Sequence, residues 1–296
     1  METTSIWLNT LRDRTGLKVL QEGMPILLDI YAKYEIKSTF FFTGYIAQLY
    51  PELVKMVVKA GHEIGSHGKS HLPKNAFDVM PLNKQKEHLD YTKKLLEDIS
   101  GHEIITFRAP ALRVNKDTIS ALIETGHKID SSVASQRFDF FLSFGSINKL
   151  KWFTAPRHPY HVSKDNFFKR GNSPLIEVPL TALFFPYVST TMRLFPLLTS
   201  VQKRIFHIET ILNNKPVVFD IHPNEFIDES EEVRIIHKRS NNFLIYLFKD
   251  LIRSQLKVKN LGKKAVPLYH DLINYYVNNL YTFTTIKDYC KTKGLI

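Results

Sequence analysis

Apolar and polar positions change rhythm repeatedly along these 296 residues, and each change marks an element. Over residues 23–34 the apolar Ile26, Leu27, Ile30 and Tyr31 recur at helical spacing behind Pro25, whose fixed φ suits a first helical turn. Residues 38–42 are a short, almost uninterrupted apolar run, which predicts a buried strand. Helical spacing returns over 47–60, and residues 61–65 then read as a short strand. The pattern goes on to predict helices over 82–100, 116–125 (closed by Gly126) and 199–213. Strands are predicted over 104–108, 127–131, 175–180 and 216–221. Beyond Ser230 the spacing is mainly helical, over 233–257 and 266–279, before Tyr281–Phe283 and a short last helix.

Strands alternating with helices imply an α/β fold: a mostly parallel sheet or barrel with helices outside. In such folds the working residues gather at the C-terminal ends of strands. His67, His71, Arg108, Asp130 and His222 all fall at or just beyond predicted strand ends. With no internal repeat and no linker-like stretch, one domain over 1–296 is expected. It divides into a motif-bearing part of about 1–228 and a mainly helical part of about 229–296.

Composition narrows the classes. Hydrophobic residues at 44% and aromatics at 12% describe a folded protein with a sizeable core. The single cysteine, Cys290, excludes an internal disulfide framework and a cysteine-based zinc site. It suits a reducing compartment, so a cytoplasmic location is expected. No apolar run approaches the ~20 residues of a membrane span, and residues 1–14 lack the apolar core of a signal peptide. The net charge of +11 invites an acidic partner. Basic residues are spread along the chain, though, with some density over 249–264 and no interleaved aromatics. Nucleic acid is therefore not expected, contact with an anionic surface stays open, and so does the oligomeric state.

Candidate chemistry begins with His67 and His71. Four apart, they share a face if the intervening residues make a helical turn, and two neutral imidazoles aimed at one point begin a divalent-metal site. In a chain with 12 histidines the alternative is a pair of exposed loop side chains. Five segments then occur in order: Ser38-Thr39-Phe40-Phe41-Phe42-Thr43-Gly44, Gly61-His62-Glu63-Ile64-Gly65-Ser66-His67 with His71, Arg108-Ala109-Pro110, Ile129-Asp130-Ser131-Ser132 and Ile221-His222-Pro223. Together they resemble the polysaccharide deacetylases, the NodB-homology group of carbohydrate esterase family 4. The resemblance runs from about residue 23 to about 222, with a weaker echo in Phe283-Thr284-Thr285-Ile286.

The resemblance implies a distorted, incomplete (β/α) barrel with a helical C-terminal extension. It implies that His67 and His71 ligate a divalent metal, zinc first, and that His222 is the general acid. Arg108 would orient the catalytic base, and Asp130 would hold Arg108 or its neighbours. Ile221 would line the acetyl pocket, with Pro110 and Tyr160 contacting substrate; Trp152 and Tyr160 read as loop aromatics that either stack on sugar rings or serve only local packing. The family's third ligand and its base come from a D-D or D-x-D/E motif on the first strand. This chain begins Met1-Glu2-Thr3-Thr4-Ser5. Glu2 is then the candidate third ligand, with the base just upstream, or else an exposed N-terminal glutamate. Asp220, two residues before His222, either tunes that histidine or is a buried strand carboxylate. His62 is expected to be structural.

The activity implied is metal-dependent removal of N-acetyl groups from amino sugars, with a carbohydrate as substrate. Two alternatives stand beside it: hydrolysis of another C–N bond (a cyclic ureide, an imide or a formamide) on the same fold, or a catalytically impaired glycan-binding protein. A zinc peptidase is disfavoured, because Gly68 rather than Glu follows His67.

Overall fold

A computed structural model of the chain describes residues 13–137, 147–228, 256 and 259–296. Its frame is a six-stranded sheet in the order β1-β2-β3-β4-β6-β5. The strands are β1 (Thr39–Phe42), β2 (Glu63–Ser66), β3 (Thr106–Phe107), β4 (Ile129–Asp130), β5 (Tyr160–His161) and β6 (Ile176–Glu177). All neighbours pair in parallel except β5 with β6. A two-stranded antiparallel pair, β7 (Ala182–Leu183) and β8 (Phe185–Pro186), lies outside it. The architecture is the α/β class that the strand–helix alternation predicts, in the incomplete-barrel form that the resemblance implies.

Helices cover the sheet. α1 (Asp13–Lys18) runs through a π turn into α2 (Met24–Lys33), and the expected helix over 47–60 is two helices, α3 (Gly44–Leu49) and α4 (Pro51–Lys59). The break lies at Tyr50, because Pro51 opens a new first turn and disfavours helical backbone in the residue before it. α5 (Leu82–Ser100) ends at Gly101, whose φ of 70° makes a left-handed cap. α6 (Asp117–Glu124), α7 (Ser189–Leu194), α8 (Pro196–Asn213), α9 (Ala265–Asn278) and α10 (Ile286–Thr292) follow. The helix expected over 233–257 lies outside the described residues, apart from Leu256. Among the described residues no helix is long and apolar enough to cross a membrane.

One expectation is corrected. Residues 216–221 do not form a strand; they make a single parallel bridge, Val188 with Asp220. Pro216 has no amide hydrogen to give, and the Val218 amide donates to the Thr181 hydroxyl rather than to a strand carbonyl. The ladder therefore does not propagate along these residues.

Glu63, at the start of β2, ties the far end of the chain into the sheet. Its carboxylate accepts from Thr39 on β1, Thr106 on β3 and the Lys287 amide in the first turn of α10, while the Ile286 amide donates to Thr39 Oγ1 at 2.8 Å. A carboxylate facing the unpaired amides of a helix start is favourable in charge as well as in hydrogen bonding. The core is apolar on either side: Phe77, Leu89, Phe107, Leu122 and Trp152 in one cluster, Phe42, Leu53, Val57, Ile64 and Leu96 in another.

Candidate metal and catalytic site

β2 delivers His67 just past its last residue, where the His67 amide donates to the Phe42 carbonyl at 2.8 Å. The turn that follows is not helical. Gly68 has φ +65°, and a Cβ there would lie 2.7 Å from the Phe77 ring. Glycine is thus required on both counts. The loop is pinned from the β1 side by the Gly44 and Tyr45 amides, which donate to the carbonyls of Gly68 and Lys69 at 2.9 and 3.0 Å. This left-handed turn, rather than helical spacing, folds His71 back over His67, leaving their Nε2 atoms 2.9 Å apart.

His67 Nδ1 lies 2.6 Å from the Arg108 carbonyl oxygen. A carbonyl only accepts, so the proton sits on Nδ1 and the Nε2 lone pair faces His71. Burial holds the His67 imidazole down at about 3, and burial together with His67 holds His71 well below its ordinary value. Both rings are neutral at neutral pH, the form that binds a metal. A tetrahedral zinc at ~2.0–2.1 Å from each nitrogen spans about 3.3 Å between them, so the pair needs to open by only a few tenths of an ångström. Fixing a ligand's second nitrogen on a carbonyl is the usual support of such a site. The pair therefore fits a divalent metal. Among the described residues no cluster of three or more His, Cys, Asp or Glu forms around it. Glu2, the candidate third ligand, lies outside the described residues.

Arg108 is the hub of the next layer. Nε and Nη2 donate to the Ser131 carbonyl and hydroxyl, both at 2.9 Å, and Nη1 donates to Asp220 Oδ1 at 2.6 Å. Its guanidinium also lies over the Phe41 ring, 4.4 Å from the centroid. Burial pushes the Asp220 carboxyl up, but Arg108, then His222 and His67, outweigh that and hold it below the usual range. Asp220 is thus the counterion of Arg108.

Asp130 is placed differently from Asp220. It makes no ion pair with Arg108; its oxygens accept from the Ser132 amide and hydroxyl at 2.9 and 2.7 Å. Asp130 points to Ser132 because it starts a tight turn at the strand end, where a short carboxylate bonds the amide two residues on. It reaches only a neighbour of Arg108, through Ser132 Oγ, which accepts from the Ala109 amide at 2.8 Å. Opposite it in register stands Glu177, and both are fully buried. Burial raises both carboxyls, Glu177 well above its ordinary value with Asp130 adding to the rise. Glu177 Oε1 accepts from the Val133 amide at 3.0 Å, while Oε2 finds no donor. That is the expected state of an oxygen that carries the proton itself and gives it to Asp130.

His222 closes the group of motif residues. It precedes a 3-10 turn over Pro223–Phe226, and Gly23 at the start of α2 fits beneath only because a Cβ there would meet the Pro223 carbonyl oxygen at 2.4 Å. Its side chain is 40% exposed, with Nδ1 4.0 Å from Glu225 Oε1. Ile221 is half-buried beside it, against the cluster of Leu27, Tyr31, Tyr187 and Phe206.

Three substrate candidates are corrected. Tyr160 is 3% exposed and donates its hydroxyl to the Phe167 carbonyl at 2.8 Å; strand alternation turns it into the core and His161 outward. Trp152 is likewise buried, so neither ring can stack on a sugar. Pro110 is buried and shapes the turn after β3, where Ala111 and Leu112 both have positive φ. His62 behaves as expected: it lies between Tyr31 and Phe40, and burial lowers it to about 4. Sequence reasoning missed Glu225; a lone carboxylate in a turn carries no spacing signal.

Comparison with known proteins bears on this arrangement. Residues 13–129 match the family model described as Polysaccharide deacetylase. The peptidoglycan deacetylase of Helicobacter pylori is 32% identical over 123 residues, 42% of this chain and 41% of that protein. The peptidoglycan-N-acetylglucosamine deacetylase of Bacillus cereus is 32% identical over 105 residues, 35% of this chain and 47% of that protein. The chain thus spans less than half the length of these relatives. A crystal structure of a Mycobacterium smegmatis protein assigned to the polysaccharide deacetylases superposes with a TM-score of 0.52 at 22% identity, covering 70% of this chain and 66% of that one. It shows the shared fold. The matched stretch contains His67, His71 and Arg108 and stops before Asp130 and His222.

Proposed function

We propose, from the match of residues 13–129 to the Polysaccharide deacetylase family model, that the chain hydrolyses the N-acetyl group of an amino sugar in a glycan or glycan precursor. The observation that carries this reading is the opposed Nε2 pair of His67 and His71, 2.9 Å apart, with His67 fixed through Nδ1 on the Arg108 carbonyl. These two imidazoles would hold a divalent metal, zinc first, with Glu2 as the proposed acidic third ligand. Such an ion supplies a water acidified to a pKa of ~7 and a polarised acyl oxygen.

The chain's own residues do the rest. His222 gives the departing amine its proton; without that proton an amine is a poor leaving group. Arg108, locked by Asp220 and Ser131, offers a fixed positive charge that orients a carboxylate base. Ile221 lines the acyl side. The single cysteine fits a cytoplasmic setting for this activity.

The test is metal content and acetate release on N-acetylated glycan oligomers. Expected are zinc in the purified protein, loss of both zinc and acetate release in His67→Ala, and loss of turnover with zinc retained in His222→Ala. Unchanged zinc in His67→Ala would falsify the site. Ring opening of a cyclic ureide or imide, with no acetate released from glycans, would reassign the substrate to another C–N bond.

A further inference from the structure

We propose that Glu225 positions His222, accepting its Nδ1–H so that the proton for the leaving amine is carried on Nε2; the proposal rests on the reading of His222 as proton donor. In a 3-10 turn, side chains three apart lie one above the other. His222 and Glu225 stand in that relation, with the Glu225 amide donating to the His222 carbonyl at 3.0 Å, and this brings Oε1 to 4.0 Å from Nδ1. Hydrogen bonding requires the imidazole to turn toward Oε1.

The carboxylate is built not to move. Oε1 accepts from Ser189 Oγ at 2.7 Å and Oε2 from Arg193 Nε at 2.6 Å, both donors lying on α7. Glu225 and Arg193 are each at most 4% exposed. Arg193 is itself fastened: its guanidinium donates to the Lys259 carbonyl, and its own carbonyl accepts from Asn260 Nδ2 at 2.7 Å. Arg193 supplies the countercharge of this buried carboxylate. The half-exposed imidazole is therefore the adjustable partner and the carboxylate its fixed reference. The other acids near the site are committed elsewhere: Asp220 to Arg108, Asp130 to Ser132 and Glu177. A carboxylate on Nδ1 that fixes tautomer and ring orientation is the arrangement a catalytic histidine needs.

The experiment is nitrogen-15 NMR of the His222 ring in the metal-loaded full chain at neutral pH, alongside kinetics of Glu225→Gln and Glu225→Asp. Expected in the unsubstituted protein is a protonated Nδ1. In Glu225→Gln the population shifts toward Nε2–H, kcat falls about ten- to a hundred-fold, KM stays within about two-fold and zinc content is unchanged. Glu225→Asp, charged but shorter, should recover part of kcat. A purely structural Glu225 would lower the folded fraction, leaving kcat per folded molecule and the tautomer as they were; that result overturns the proposal. Should Glu225→Gln not fold, the unsubstituted protein still decides, since an Nε2–H tautomer in it refutes the assignment. Failure of the deacetylase reading shows separately, as absence of acetate release or as turnover surviving in His222→Ala.

Discussion

The Arg108 carbonyl lies 2.6 Å from His67 Nδ1 while the same residue's guanidinium lies 2.6 Å from Asp220. One residue therefore sets the tautomer of a candidate ligand with its backbone and anchors a half-buried carboxylate with its side chain.

Asp220→Asn leaves the Arg108 guanidinium buried without its counterion. The expected cost is about 3 kcal/mol in urea unfolding, the usual scale for breaking a buried pair on one side. A double-mutant cycle with Arg108→Met should show coupling. A loss for Asp220→Asn of under about 1 kcal/mol would mean Ser131 alone suffices to hold Arg108.

Acid should weaken the metal-free protein through its buried histidines. His67 and His127 are lowered to about 3, His62 and His88 to about 4, each chiefly by burial. A histidine depressed on folding favours the folded state fully above its unfolded value of 6.5, and that contribution is lost as pH falls toward the folded value. The unfolding midpoint should therefore drop from pH 7 to pH 4. Proton NMR at pH 5.5 should find all four rings neutral; a His67 that titrates near 6.5 contradicts the burial of the pair.

Glu177→Gln should be mild, within about 1 kcal/mol, because a neutral amide can donate to Asp130 as the protonated acid does and still accept from Val133. Its sign with pH is distinctive. A carboxyl raised on folding stabilises the protein below its unfolded value of 4.5 and loses that contribution as pH rises toward its folded value. Between pH 4.5 and 7 the stability difference should move in favour of the glutamine variant. A difference that moves the other way indicates an ionised Glu177.

Glu63→Ala removes the acceptor shared by Thr39, Thr106 and Lys287. Orphaning buried hydroxyls and a helix-start amide should cost about 2–4 kcal/mol. Hydrogen exchange should show α10 losing protection before α5 does. Equal protection of α10 in the variant would assign its docking to the apolar contacts of Ile286, Tyr289 and Cys290 instead.

Much of this architecture was legible in the chain, and the exceptions have physical reasons. The helix over 82–100 is found with the same bounds, since its apolar face is continuous and Gly101 stops it. Residues 47–60 misled because apolar spacing continues across Tyr50 while Pro51 restarts the backbone. The His67–His71 pairing was readable, but through the wrong geometry: four-residue spacing suggested a helical turn, whereas a left-handed glycine makes the approach. Asp220 rather than Asp130 meets the Arg108 guanidinium, because which carboxylate does so depends on how loops fold back, which no local pattern encodes. Tyr160 looked like a loop aromatic because a two-residue strand is too short to show alternation.

The clasp at Glu63 also governs the order of events during synthesis. The Thr39–Ile286 and Glu63–Lys287 contacts join positions 247 and 224 residues apart, so most of the chain must emerge from the ribosome before the sheet acquires its last partner. Ends this distant meet slowly. Until they do, Glu63 is held by Thr39 and Thr106 alone, and the histidine motif stands on a sheet whose C-terminal clasp has yet to close.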